Sequence, residues 1–412
     1  MLLQSSADQT SANAFHHRSF TYYWISRVLG SLAVQIVAVA VGWKVYDITR
    51  DPLSLGIVGL VQFLPSLALV LFTGAVADRF SRRRIMAICL VVELLVAILL
   101  LALAVNGSRD VWPIYVVLAI LGIARAFFGP AMQALMPNLV PRVALANGVG
   151  WNTTSWQLAT ILGPVAGGLL YGVSEYAAYG TAAVMFAGAI AMLLAIPKQP
   201  RGTPSDEPAW EAVSAGFRYV FSNRIVLGAI SLDLFAVLLG GAIALMPAYA
   251  RDILDVGPWG LGLMRAGPGV GAIAVAAVLA FYPIKTHAGL WMFIGVAVFG
   301  LSTVAFGVSI VPWFSIVMLA MMGASDMISV YVRETLIQLA TPDDVRGRVN
   351  AVNMVFVGAS NELGEFRAGT MAALIGIVPA VVVGGAGTVL VAAVWAKWFP
   401  DLRLAQRLDR IG

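Results

Sequence analysis

Charge is what this sequence has least of. Only 11% of its 412 residues are Asp, Glu, Lys or Arg, less than half of the about 25% found in an ordinary soluble domain. A chain that is 60% hydrophobic, with a mean hydropathy of +0.88, cannot clothe itself in water. Soluble folds are excluded. Cysteine is reduced to Cys89, inside an apolar run, which excludes a disulfide framework and a Cys-ligated zinc site within one chain. Each of the four lysines, Lys44, Lys198, Lys285 and Lys397, follows a residue other than Gly. The Gly-Lys pair of a nucleotide-binding P-loop is therefore missing, and ATP-driven transport by this chain alone is excluded. There is no His-Glu-x-x-His and no Gly-x-Ser-x-Gly, and the three histidines sit in the N-terminal tail or a loop. The chain carries no visible catalytic apparatus, so it is expected to be no enzyme and to need no cofactor or metal.

What is present is a succession of apolar runs of about 20 residues, the length that crosses a bilayer as a helix. Between turn signals they fall near 20–46, 55–77, 84–105, 112–136, 146–172, 176–197, 224–250, 258–282, 288–309, 312–338, 349–375 and 378–399. The pattern predicts an all-α membrane protein with twelve transmembrane helices in two six-helix bundles. The N-terminal bundle spans 20–197 and the C-terminal bundle 224–399, with tails at 1–19 and 400–412. Between the bundles, 198–223 reads as a polar linker with Pro200, Pro204, Asp206, Glu207 and Pro208. Within it Trp210, Val213, Phe217 and Val220 recur at helical spacing, which predicts an amphipathic helix lying on the membrane surface. An internal repeat supports the division: Gln133-Ala-Leu-Met-Pro137 then Asn147 parallels Gln338-Leu-Ala-Thr-Pro342 then Asn350.

The formal charge of +5 does not form a nucleic-acid patch. With the N-terminus in the cytoplasm, seventeen Lys and Arg residues fall on the cytoplasmic side and four, Lys44, Arg50, Arg109 and Arg251, on the other. Five more lie inside helices. This bias predicts that both termini face the cytoplasm. Most Trp and Tyr residues near helix ends read as interface anchors. Trp151 and Trp156, beside Asn152, Thr153 and Thr154, form either a lining for an amphipathic substrate or core packing.

Two patterns carry mechanism. The stretch Gly74-Ala-Val-Ala-Asp78-Arg79-Phe-Ser-Arg82-Arg83-Arg84 has the form Gly-x-x-x-Asp-Arg-x-x-Arg-Arg. Gly lets two helices approach closely, Asp accepts hydrogen bonds at a helix N-terminus, and the arginines anchor to carboxylates or anionic lipid. In the fifth helix Ala159, Gly163 and Gly167 recur at steps of four and make one smooth packing face. Pro164 bends it, and Gly168 completes Gly-Pro-x-x-Gly-Gly.

The first pattern resembles the signature of the major facilitator superfamily, and the second resembles the antiporter motif of its exporters. The run Phe128 to Pro141-Arg142, together with Thr341-Pro-Asp-Asp-Val-Arg346-Gly-Arg348-Val-Asn350, is similar to the enterobactin-exporter and macrolide-efflux branch. The resemblance covers about residues 15–400. It implies a major facilitator fold in the cell inner membrane and a secondary-active, proton-coupled exporter. The substrates implied are amphipathic drugs or siderophores, with protons and lipid as the other partners and a monomer as the default. It further implies that Asp78 and Arg79 belong to a latch of the outward-facing state. An importer of the same fold and a transport-deficient sensor are the alternatives.

Charges inside the bilayer are expensive and mark candidate sites. They are Arg27, Glu93, Arg125, Asp233, Arg265, Asp326, Arg333, Glu334, Glu362, Glu365 and Arg367. On the eleventh helix Gly358, Glu362, Glu365 and Gly369 share one stripe. Two like carboxylates on one stripe suit a group that loads and releases a proton. Alternatively they pair with Arg367 or another buried arginine and hold the bundle together. Asp233 and Asp326 read as isolated acids that compete for the proton. Glu93 is either a carrier or the partner of Arg125.

Overall fold

A computed structural model describes residues 12–197 and 209–404, and within them all regular structure is helical. After a short turn at Ala14–His16, the first six long helices are α1 (Arg18–Thr49), α2 (Pro52–Arg79), α3 (Arg82–Val105), α4 (Trp112–Leu135), α5 (Leu145–Val173) and α6 (Glu175–Ala195). A shorter helix, α7 (Ala209–Ser222), leads to α8 (Arg224–Gly240), α9 (Gly257–Phe281), α10 (Ala288–Gly307), α11 (Pro312–Ala340), α12 (Asp343–Ile375) and α13 (Ile377–Trp398). The starts are set by local chemistry. Ser174 Oγ accepts the Ala177 N–H at the head of α6, and Asn223 Oδ1 accepts those of Ile225 and Val226 at the head of α8. Each satisfies donors that lack an intrahelical acceptor.

Among the described residues, eleven helical stretches are long and apolar enough to cross a membrane. The remaining long helix, α12, carries too much polarity for that count, and it also begins six residues before the predicted 349. Pro342 starts it, and Arg346 and Arg348, which read as loop charges, belong to its first turns. A second departure is in the predicted 224–250 helix. It stops at Gly240, and the chain continues through short turns to a π-helical turn at Tyr249–Ile253. The Gly240-Gly241 pair is a poor helix former. It also sits where backbones nearly touch: a Cβ on Gly240 would lie 2.7 Å from Thr388 Oγ1, and one on Gly241 3.3 Å from the Gly364 carbonyl carbon.

The chain divides into two compact units, and the first part of α2, Thr49–Leu60, belongs to the second of them. In the first unit α3 packs against both α4 and α6, and α5 packs against α6. In the second, α10 packs against both α11 and α13. Since α10, α11 and α13 are the ninth, tenth and twelfth long helices, this repeats the scheme of the third, fourth and sixth. α11 also lies along α9, and α8 along α12 and α13.

α7 departs from the surface-lying helix expected from its spacing. Val220 is fully buried with Val226, Ile230, Ile337, Val349 and Val352, Phe217 stacks near Phe356, and the Tyr219 hydroxyl donates to the Ala340 carbonyl. Gly216 makes this possible, because a Cβ there would lie 2.6 Å from the Arg348 carbonyl oxygen. Around these residues the apolar face of α7 is covered by protein, while Phe221 stays exposed. The side chains of Trp210 and Val213 lie outside the described residues.

Lipid offers helices no hydrophobic reason to associate, so close backbone approach and dispersion hold them. Gly300 of α10 and Gly385 of α13 face each other: a Cβ on either would lie 2.7 Å from the carbonyl oxygen of the other. Gly300→Ala should lower the thermal unfolding midpoint of the purified protein in detergent, with a cost of about 1–3 kcal/mol because the obstructing atoms are backbone. Gly129→Ala, where a methyl would meet nothing within 4 Å, should leave the midpoint unchanged or slightly raised.

Candidate functional site

The residues singled out by sequence fall into four groups. The first closes α2 and opens α3. Arg82 Nη1 donates to the Ala134 carbonyl at 2.9 Å and Arg83 Nη2 to the Leu194 carbonyl at 2.7 Å. Those carbonyls lie in the last turns of α4 and α6, where four acceptors per helix have no intrahelical donor and the helix dipole is negative. Within the first unit these two arginines cap helix ends, a role that their place in the motif did not announce. Arg79 is exposed; the side chains of Gly74 and Asp78 lie outside the described residues.

The second group is the small-residue face of α5. Ala159, Gly163, Pro164, Gly167 and Gly168 are all buried. A Cβ on Gly163 would collide with the Gln35 side chain, and one on Gly167 would lie 3.0 Å from Ile36 Cα. The face therefore seats α1 at backbone distance, as small residues at steps of four permit.

The third group comprises the buried charges of the first unit. Glu93 on α3 is 3% exposed, and Arg125 on α4 is the charge that acts on it. Arg125 also reaches Gln62 Oε1 at 3.4 Å. Arg27 donates to Ser155 Oγ at 2.8 Å and more weakly to the Asn152 carbonyl, and it touches the Met132 sulfur. Tyr23 donates its hydroxyl to Asn152 Oδ1 at 3.1 Å, and Trp151 stacks edge-on with Phe15 and Trp24. Thr153 and Thr154 return their hydroxyls to carbonyls of their own helix. Asn152 thus contributes to packing within the unit, while Trp151 and Trp156 are 38% and 48% exposed.

The fourth group is the charge network of the second unit. Asp233 of α8 and Arg333 of α11, 6% and 3% exposed, form an ion pair, and Asp326 acts electrostatically on both. Asp233 and Asp326 are therefore not isolated acids, contrary to expectation. Sequence reasoning missed the pairing because its partners are 100 positions apart, and the one available signal was opposite charges at mid-helix. Glu334, 3.6 Å from Arg333 Nε, accepts a hydrogen bond from Asn353 at 2.9 Å.

On α12, Glu362 and Glu365 do share a stripe. An Oε2 oxygen of each lies 3.1 Å from the point a Cβ on Gly59 would occupy, so both carboxylates turn onto one spot of α2. Arg367 does not pair with them. Its guanidinium donates to the Leu239 carbonyl and contacts Met371, and the opposing charge on Glu365 is Arg265 of α9. The carbonyl of Leu239 is one that the break after Gly240 sets free, and an arginine is well suited to take it. Among the described residues no three His, Cys, Asp or Glu side chains are grouped to hold a metal ion.

An all-helical, polytopic chain whose second half repeats the packing scheme of its first, with opposed charges buried mid-helix, has the architecture of a membrane transporter. The sequence profile of the family described as transmembrane secretion effector matches residues 9–411, and the chain belongs to that family of major facilitator transporters. It is 24% identical over 396 residues to the enterobactin exporter EntS of Citrobacter koseri, covering 94% of this chain and 93% of that protein. The EntS protein of Salmonella typhimurium is likewise 24% identical, with 94% of each chain covered. Solved structures share the fold. The POT family transporter PepTSo superposes with a TM-score of 0.74 at 12% identity, over 94% of this chain and 99% of its own. A D-xylose–proton symporter gives 0.71 at 15%, over 93% and 98%.

The ion pair generates an asymmetric expectation. Arg333→Met strands two buried carboxylates and should cost about 3–5 kcal/mol. Asp233→Asn leaves Arg333 with Asp326 and should cost clearly less. Thermal unfolding of the purified variants in one detergent checks the order, and equal losses would contradict it.

Proposed function

We propose that the chain is a secondary-active exporter of amphipathic small molecules of the siderophore or drug-like class, driven by the proton gradient across the cell inner membrane. The observation that carries the reading is the end-to-end match to proteins named enterobactin exporters, over 94% of the chain. The α5 face supports the export direction, because it has the Gly-Pro-x-x-Gly-Gly form of the exporter motif and seats α1 at backbone distance. Binding would be followed by alternating access, the substrate meeting one side of the membrane and then the other. In this reading Gly74, Asp78 and Arg79 form the gate between α2 and α3, and the Lys and Arg bias puts both termini in the cytoplasm. One copy suffices, since a single chain contains both units. The buried acids Glu93, Asp233, Asp326, Glu362 and Glu365 are the proton candidates. Protons drive such a cycle by favouring one state, and a shift of about 1.4 kcal/mol in that balance is worth a factor of ten.

An enterobactin-producing strain that lacks its own exporter, expressing this chain, tests the reading. Secreted siderophore should be restored, or resistance to a panel of toxic amphipathic compounds gained. Asp78→Asn should return either phenotype to the vector control while reaching the membrane at normal levels. A chain present in the membrane that changes neither phenotype would remove export. Movement into inverted vesicles that ignores a collapsed proton gradient would remove the coupling and leave export standing.

A further inference from the structure

Three groups of mid-helix acids could load the coupling proton, and their surroundings differ. Glu93 is one carboxylate facing one arginine, Arg125. Glu362 and Glu365 converge on Gly59, with Arg265 opposing Glu365 and Glu362 engaged by a neighbour of its own. The third group, in the second unit, has one arginine for three acids: Arg333 is paired with Asp233 and lies 3.6 Å from Glu334, and Asp326 is left over.

The third group also has a feature that points to something binding there. Asp233, Asp326 and Ser329 line a small cavity between α8, α10 and α11. Ser329 is 2% exposed and its hydroxyl has no hydrogen-bond partner. A buried hydroxyl without a partner is costly, and this one lies three residues after Asp326 on the same helix face. It can accept a hydrogen bond from a carboxylic acid O–H and donate one to a carboxylate. A carboxylate in a low dielectric without its own cation is the costliest group of the cluster, and one proton removes its charge.

We infer that Asp326 is the group that takes up and releases the coupling proton, with Arg333 and Ser329 as positioning residues. The inference rests on the proton-coupled reading above. When Asp326 is neutral, Arg333 stays with Asp233, with Glu334 beyond it as observed, and the unpartnered Ser329 hydroxyl is free to turn to the carboxyl. When Asp326 gives up its proton, Arg333 is shared between the two acids, and the contact between α8 and α11 loosens. The groups that face Asp326 are Asp233 from α8, Arg333 and, beyond it, Glu334 from α11 itself, and Asn353 of α12 through Glu334. From α10 the cavity receives only Val296 and Phe299. A sodium ion would need more oxygen ligands than two carboxylates and one hydroxyl supply while Arg333 holds Asp233.

Infrared difference spectra of the purified full chain across a pH titration test this, through the carbonyl stretch of a protonated buried carboxyl. One such band should titrate in the unaltered protein. It should vanish in Asp326→Asn, persist in Glu93→Gln and Glu365→Gln, and shift in frequency in Ser329→Ala. Persistence in Asp326→Asn, or loss in Glu365→Gln, overturns the assignment. If Asp326→Asn does not yield monodisperse protein, Ser329→Ala decides, and an unshifted band overturns it. The titration should be the same in sodium and choline chloride; a band displaced by sodium makes this a sodium site and overturns the proposal. Gradient-driven export of the same variants separates the two claims. A band that vanishes in Asp326→Asn while export ignores the gradient upholds the proton site and removes the coupled reading. Gradient-driven export with a band untouched in Asp326→Asn does the reverse.

Discussion

Inside a bilayer no water waits to take up a polar group, so every charge and every carbonyl released by a break must find its partner in the protein. This constraint places the arginines. Arg367 takes the Leu239 carbonyl released where α8 stops, and Arg27 reaches the Asn152 carbonyl and the Ser155 hydroxyl. Guanidinium suits this work better than ammonium. It offers five donors in a fixed plane, stays charged at any accessible pH, and is more weakly hydrated. All five basic residues inside the helices, Arg27, Arg125, Arg265, Arg333 and Arg367, are arginines, in keeping with the same preference.

With the polar groups satisfied internally, small residues decide which helices meet. Gly300 and Gly385 bring α10 onto α13, Gly271 and Gly323 bring α9 onto α11, and Gly163 and Gly167 bring α5 onto α1. Each of these glycines lies where a methyl would meet a neighbouring helix. The recurrence of the packing scheme in both units therefore does not need sequence identity between them. It needs small residues at corresponding crossings, which is a looser requirement and one that lets the side chains between the crossings diverge.

Hydropathy was enough to read the helices, their number and the two-part division of the helical pattern, because bilayer thickness imposes a length that few other structures share. The misreadings have local causes. Gly240-Gly241 sits in an apolar run, where a helix-breaking pair looks like a packing surface. Arg346 and Arg348 look like loop charges, although the helix simply begins earlier. The amphipathic spacing of α7 was legible, but whether lipid or protein covers its face depends on Gly216, whose meaning appears only when α12 is beside it. For the site, the sequence pattern marks which charges are buried and places Glu362 and Glu365 on one stripe. It could not pair Asp233 with Arg333, nor turn Arg367 away from the glutamates, because those choices belong to the geometry between helices.

The two units also differ in a way the repeat conceals. The mid-helix charges of the first are two arginines, Arg27 and Arg125, against the single Glu93. Those of the second are five carboxylates, Asp233, Asp326, Glu334, Glu362 and Glu365, against Arg265, Arg333 and Arg367. In a low dielectric an imbalance of this kind is expensive and persists only where something compensates it. Surplus cations can be compensated by carbonyls, hydroxyls and other dipoles, as Arg27 illustrates. Surplus carboxylates have fewer such partners in a helix bundle, since the N–H groups are already committed to the backbone. Their natural compensation is a proton. On the proposed reading, the packing scheme common to both units supplies the movement, and the charge excess confined to the second gives the proton its hold on that movement.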